Sequence, residues 1–129
     1  VLRLASACDM GRAINPMLVE GQIEGGCIQA LGYSLTEDIK MKNGKILNNR
    51  FANYIIPTAA DVPMDEAIIV EEPFWNGPFG AKGLGEMPCV FVGPCVADAV
   101  AMASGIDLCE IPITPEKLLA AKKRGEQKL

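Results

Sequence analysis

The residues best suited to chemistry stand together at Gly80-Ala81-Lys82-Gly83-Leu84-Gly85-Glu86, followed by Met87-Pro88. The closely spaced glycines give a backbone that another group can approach closely. One carboxylate closes the run. The Pro that follows suits the first turn of a helix, where a missing N–H has no bond to lose. An acid in that place has two readings. It can be a general base, ionised at rest and able to accept a proton. It can equally be an N-terminal cap facing the positive end of the helix dipole, and spacing alone favours the cap. Glycine loops ahead of helices also hold phosphate through backbone N–H groups. This loop matches neither Gly-x-x-x-x-Gly-Lys-Ser/Thr nor Gly-x-Gly-x-x-Gly after a strand, which argues against a standard nucleotide fold.

Gln22 is the second candidate. It is flanked by Gly21 and the pair Gly25-Gly26, and its amide carries two donors and an acceptor. It reads either as a surface residue or as a group that bonds a heterocycle lying on the small face of the helix. Other chemistries are absent. The chain contains no His, which removes imidazole metal sites and Ser–His–Asp or Cys–His catalysis from within it. Its five cysteines are odd in number and form no Cys-x-x-Cys pair, so neither a disulfide framework nor a zinc or iron–sulfur site is indicated. They read as small apolar core residues.

The elements that must position these groups follow from periodicity and breakers. Residues 1–7 alternate enough for a strand, and Asp9 to Pro16 reads as a loop ending in a turn. Val19, Ile23, Cys27, Leu31 and Leu35 recur at every fourth position and predict a helix over 17–35. Gly21, Gly25, Gly26 and Gly32 lie inside it, and each costs roughly 1 kcal/mol against Ala. Either neighbouring backbone packs on the face formed by Gly21 and Gly25, or a ligand lies there. A hairpin is expected from Glu37 to Asn48, turning at Asn43-Gly44, where both central residues need positive φ. Asn53–Ile56 and Glu66–Glu71 read as further strands, and Glu72 to Glu86 as irregular. A helix over 89–104 is interrupted by Pro94 and ended by Gly105, and a final helix over 115–124 opens at Thr114-Pro115 and ends at Gly125. The fold class is α+β, a mixed sheet with three helices. Residues 126–129 are expected to fray, which leaves 125–129 as a tail.

At 129 residues, half of them hydrophobic and 22% charged, the chain is one ordinary globular domain or part of a larger one. A net charge of −4 argues against a nucleic-acid partner, and Lys122, Lys123 and Arg124 read as a solvated helix end. No signal-peptide pattern is seen and no apolar run approaches the ~20 residues of a membrane helix, so a cytoplasmic protein is expected. The first residue is Val rather than Met, which suggests a piece or processed product of a longer chain.

Three stretches taken together carry more than any one alone. They are Asp9-Met10-Gly11-Arg12-Ala13-Ile14-Asn15-Pro16, then Glu20-Gly21-Gln22-Ile23-Glu24-Gly25-Gly26 with Gln29-Ala30-Leu31-Gly32, and then Gly80–Glu86. In this order they resemble the C-terminal part of the large, molybdenum-cofactor-binding subunit of the xanthine dehydrogenase/aldehyde oxidoreductase family. The resemblance spans residues 1–124, which would be the C-terminal portion of a molybdopterin-binding domain. It implies a molybdenum hydroxylase that oxidises a purine, another N-heterocycle or an aldehyde. Glu86 would be the general base for attack by a Mo-bound hydroxyl, with hydride passing to a sulfido ligand. Gln22 and the backbone at Gly83, Leu84 and Gly85 would contact the molybdopterin. No residue of this chain would ligate the metal, and Lys82 would have no catalytic role. Iron–sulfur clusters, with or without FAD, would sit on other domains or subunits, and these with the rest of the molybdenum subunit would be the partners. The isolated chain would be inactive. The alternative is a non-catalytic binding or assembly module that kept the fold.

Overall fold

Strand β1 (Arg3–Asp9) pairs in parallel with β4 (Met64–Val70) in the computed structural model, which describes residues 1–126. The register sets Cys8 opposite Ile69 and Asp9 opposite Val70. Ser6 and Cys8, two apart and therefore on one face of β1, are both buried. Between the paired strands lie helix α1 (Pro16–Leu35) and a two-rung hairpin, β2 (Met41–Lys42) with β3 (Lys45–Ile46). After β4 come short 3-10 helices at Pro78–Gly80 and Met87–Cys89, then α2 (Val92–Ser104) and α3 (Pro115–Glu126).

The chain divides into two units. Unit 1 takes Val1–Gln29 and Thr58–Val90, and unit 2 takes Ala30–Pro57 and the chain from Phe91. Unit 1 buries Cys8, Met10, Ile23, Cys27 and Pro88. Unit 2 buries Ala30, Leu31, Val92, Val96 and Ile113. Helix α1 contributes to both cores through its four-residue apolar repeat, with Ile23, Cys27 and Leu31 fully or nearly fully buried.

Local chemistry explains most boundaries. Asn15 Oδ1 accepts the Leu18 N–H at 3.2 Å, so Asn15 caps α1 and Pro16 takes its first position. Thr114 repeats the device on α3, where its Oγ1 accepts the Lys117 N–H at 3.3 Å. Asn43 and Gly44 carry φ of 51° and 73° and turn the hairpin as expected. Gly105, at φ 70°, closes α2 and donates its N–H to Ala101 O at 2.8 Å.

Several expectations need correction. The α+β class and three helices stand, but the strands form two separate pairs, one parallel and one antiparallel, rather than one mixed sheet. Asn53–Ile56 is not a strand. Its polar groups serve a turn instead: Asn53 Oδ1 accepts the Arg50 N–H, and Asn53 O accepts from Asn48 Nδ2. Helix α2 begins at Val92, not at residue 89, after the separate turn Met87–Cys89. Pro94 causes no kink, because it sits in the first turn, where its N–H would be unbonded anyway. Gly125 does not stop α3, which runs to Glu126, and the rest of the expected frayed tail, 127–129, lies outside the described residues. Of the cysteines, Cys8 and Cys27 are buried, but Cys95 and Cys109 are exposed.

One stretch, Met87–Ser104, has the length and mean hydropathy (18 residues, 1.5) of a membrane span, contrary to the reading that no such run exists. It is broken between two helices. At 1.5 Å per residue, α2 is only about 20 Å long, short of the ~30 Å of a bilayer's hydrocarbon core.

Candidate active site

The loop from Gly80 to Glu86 is held in unit 1 by contacts with β1 and α1. Upstream, Arg12 N–H donates to Gly80 O at 2.9 Å, and Lys82 N–H to Met10 O at 2.8 Å. Gly11 and Ala81 form an antiparallel bridge between them. Gly11 lies at φ 67°, and a Cβ there would meet Gly80 O, so only Gly allows this approach. The Lys82 ammonium pairs with Asp9 Oδ2. The Asp9 carboxyl is held below the usual carboxylate range, first by this bond and then by the Gly11 N–H on its other oxygen.

Further along, Gln22 Nε2 donates to Gly85 O at 2.6 Å. This bond joins the two motifs that were candidates from sequence. Downstream, Pro88 packs on Gly26, where an added Cβ would fall 2.9 Å from Pro88 Cβ. Cys89 Sγ donates to Gly26 O at 3.2 Å, and Cys27 Sγ to Pro88 O at 3.8 Å. Burial pushes both thiols above their ordinary range, and the charge of Glu86 adds to the effect at Cys89. Neither is therefore a ready nucleophile.

Glu86 precedes the Met87–Cys89 turn but caps nothing: its side chain makes no capping hydrogen bond. It is exposed. Among the described residues its carboxylate has no hydrogen-bond or ion-pair partner, and the Gln22 amide oxygen has no hydrogen bond. The two accounts of the glycines also separate. Added Cβ atoms at Gly21, Gly25, Gly83 and Gly85 would meet nothing within 4 Å, so among the described residues no other backbone packs on the Gly21–Gly25 face. The tight packing falls on Gly26 and Gly32 instead.

Gln22 and Leu84 share a groove of about 300 Å³ with Met10, Arg12, Asn15 and Leu18. Gly83 borders a second depression of about 450 Å³ beside Phe74, Asn76 and Pro78. All the sequence candidates therefore lie in unit 1. Sequence reasoning missed Asp9, Arg12 and Gly26. Asp9 had a legible signal, since Asp two residues before a Gly is the pattern of a side chain bonding a turn N–H. Gly26 had none that distinguished it from Gly25. A broad cofactor with hydrogen-bonding edges fits this arrangement: bare glycine faces on helix and loop, a carboxamide with a free acceptor, and a carboxylate unsatisfied by its own chain. Among the described residues there is no group of three or more His, Cys, Asp or Glu placed to hold a metal ion.

Residues 1–63 match the molybdopterin cofactor-binding domain, which places the chain in the class of molybdenum-cofactor proteins. Over 118 residues it is 36% identical to a putative xanthine dehydrogenase molybdenum-binding subunit of Escherichia coli strain K12, covering 90% of this chain and 16% of that subunit. A quinoline 2-oxidoreductase from Pseudomonas putida 86 matches with a TM-score of 0.83 and 35% identity, over 91% of this chain and 15% of that one. An aldehyde oxidoreductase from Desulfovibrio gigas matches with a TM-score of 0.82 and 30% identity, over 92% of this chain and 13% of that one. The chain belongs to the molybdenum-binding subunit family of the xanthine dehydrogenases and aldehyde oxidoreductases, which are molybdenum-dependent oxidoreductases. It spans 16% of the length of the curated relatives it matches first.

Proposed function

We propose that this chain forms one wall of the active site of a molybdenum hydroxylase acting on an N-heterocycle or an aldehyde, with Glu86 as the general base. Residues 1–124 are then the C-terminal portion of the molybdopterin-binding domain. The observation that carries this reading is the Gln22–Gly85 bond, which ties the Gly-flanked Gln to the loop bearing an unsatisfied acid.

Molybdenum–molybdopterin, when bound, supplies the two-electron redox chemistry, which no side chain here can perform. The chain's residues do the rest. The Gln22 carboxamide and the backbone at Gly83, Leu84 and Gly85 hold the cofactor by hydrogen bonds and close approach. The Glu86 carboxylate, free of protein partners, takes the proton of the attacking hydroxyl group and so makes its oxygen the stronger nucleophile. Iron–sulfur clusters, with or without FAD, on other domains or subunits would supply the onward electron path, and these with the rest of the molybdenum subunit would be the partners. The parent enzyme works in the cytoplasm, without nucleic acid or membrane, and the isolated chain does not turn over.

The test is Glu86→Gln in the assembled enzyme. Turnover should fall by about 10²- to 10⁴-fold, the range of general-base catalysis, with molybdenum content unchanged. Near-normal turnover in a fully loaded variant would remove Glu86 from the role.

A further inference from the structure

Among the described residues Glu86 has no hydrogen-bond or ion-pair partner for its side chain, so the backbone of its loop sets where its carboxylate stands. Downstream of it, Pro88 rests on Gly26. Immediately upstream, Gly85 is held by Gln22, and Gly83 is unsupported, with nothing within 4 Å of an added Cβ. The next firm point is Lys82, the motif residue to which the proposed function gives no task. Its ammonium ends on Asp9.

Asp9 is placed to gather three segments. It is the last residue of β1. One oxygen accepts the Gly11 N–H at 2.8 Å and the Glu72 N–H at 3.4 Å, and the other takes Lys82. It therefore links the end of β1, the chain leaving β4 and the start of the glycine loop. The Lys82 and Asp9 side chains remain 34% and 38% exposed. Ion pairs of that exposure contribute little to stability, so removing this one should disturb position more than folding. Position matters for a base: a misplacement of about 1 Å can cost on the order of 10²-fold in rate.

We infer that Asp9, acting through Lys82, is a positioning residue that sets the stance of Glu86. The inference rests on the reading of Glu86 as general base. Neither Asp9 nor Lys82 exchanges a proton with substrate. Together with the Lys82 N–H bond to Met10 O, the pair fixes the upstream end of the loop while Gly26 fixes the downstream end, and added Cβ atoms at Gly83 and Gly85 would meet nothing.

The experiment uses the assembled, molybdenum-loaded enzyme and compares Lys82→Met, Asp9→Asn, Lys82→Arg, Glu86→Gln and the double variant Lys82→Met/Glu86→Gln. Lys82→Met and Asp9→Asn should each lower kcat about tenfold to a hundredfold, with KM, molybdenum content and the thermal midpoint unchanged. Lys82→Arg keeps the charge and should recover most of the loss. The double variant should be no slower than Glu86→Gln, because Lys82 acts only through Glu86. Multiplication of the two losses would overturn the inference, and so would full kcat in both Lys82→Met and Asp9→Asn. Loss of molybdenum from Lys82→Met would assign the pair to cofactor retention and also overturn it. Near-normal turnover of Glu86→Gln would bring down the base assignment and this inference together. A slow Glu86→Gln beside normal Lys82→Met and Asp9→Asn would bring down this inference alone.

Discussion

Unit 2 satisfies its buried polar side chains internally, whereas unit 1 leaves several polar groups unused. In unit 2 the buried Asn48 makes three bonds: it accepts the Lys40 N–H at 2.8 Å and donates to Asp38 O and Asn53 O. Buried Ser34 donates to Ala30 O at 2.6 Å, and its carbonyl takes the Ile113 N–H at 2.7 Å. Tyr54 donates to Glu37. Among the described residues, in unit 1 the Glu86 carboxylate and the Gln22 amide oxygen have no hydrogen-bond partner, and both side-chain oxygens of Asp65 are buried without one. The glycines of unit 1 are themselves of two kinds: Gly11 and Gly26 are crowded by Gly80 and Pro88, while Gly21, Gly25, Gly83 and Gly85 face open space. Unit 2 closes on its own contacts, and the edge of unit 1 that carries Gln22 and Glu86 leaves polar groups open, as the proposed cofactor role requires.

The largest test of that contrast is Asn48→Ala. It strands the Lys40 N–H and the carbonyls of Asp38 and Asn53, and should lower the unfolding free energy by about 2–3 kcal/mol in a denaturant titration of the full subunit. A cost below about 0.5 kcal/mol would deny that unit 2 depends on its internal bonds. Next come two neighbouring glycines on α1. Gly26→Ala drives a methyl onto Pro88 and should destabilise by about 1–2 kcal/mol. Gly25→Ala meets nothing and, without cofactor, should stabilise by up to about 1 kcal/mol from helix propensity, while lowering molybdopterin occupancy. Equal effects of the two in thermal unfolding would erase the distinction.

Asp65→Asn should stabilise by about 1 kcal/mol at neutral pH, because it replaces an unpaired buried carboxyl. The sign can be checked against pH. Burial raises the Asp65 pKa in the folded state. Its contribution is fully present below the unfolded value and is lost as pH rises through the folded value. The advantage of the variant should therefore appear on raising the pH and vanish in acid. The smallest effect belongs to Tyr54, whose phenol is pushed up to about 12, chiefly by its bond to Glu37. Its contribution to stability is present below the unfolded pKa near 10 and is lost as pH rises through about 12. An ultraviolet titration should show one late-ionising tyrosine that Tyr54→Phe removes.

How much of this was legible follows the range of each interaction. The four-residue apolar repeat of α1, the Asn43-Gly44 turn, the Thr114-Pro115 start and the Gly105 stop were all readable, because each depends on residues a few positions apart. Asn15-Pro16 carried the same cap signal as Thr114-Pro115, yet it reads equally as a plain turn until the Leu18 bond is seen. The false strand at Asn53–Ile56 shows the limit of short apolar runs, since Asn48 recruited that segment from outside it.

The sequence by itself determined the residue types at the site, the loop's freedom to be approached and, through its ordered motifs, the family. Tertiary structure alone decided what each glycine is for, that Gln22 reaches Gly85, that Glu86 caps nothing and that Asp9 holds Lys82. Those facts depend on where distant segments return after β1 and β4 pair, and no local spacing of residues encodes that return.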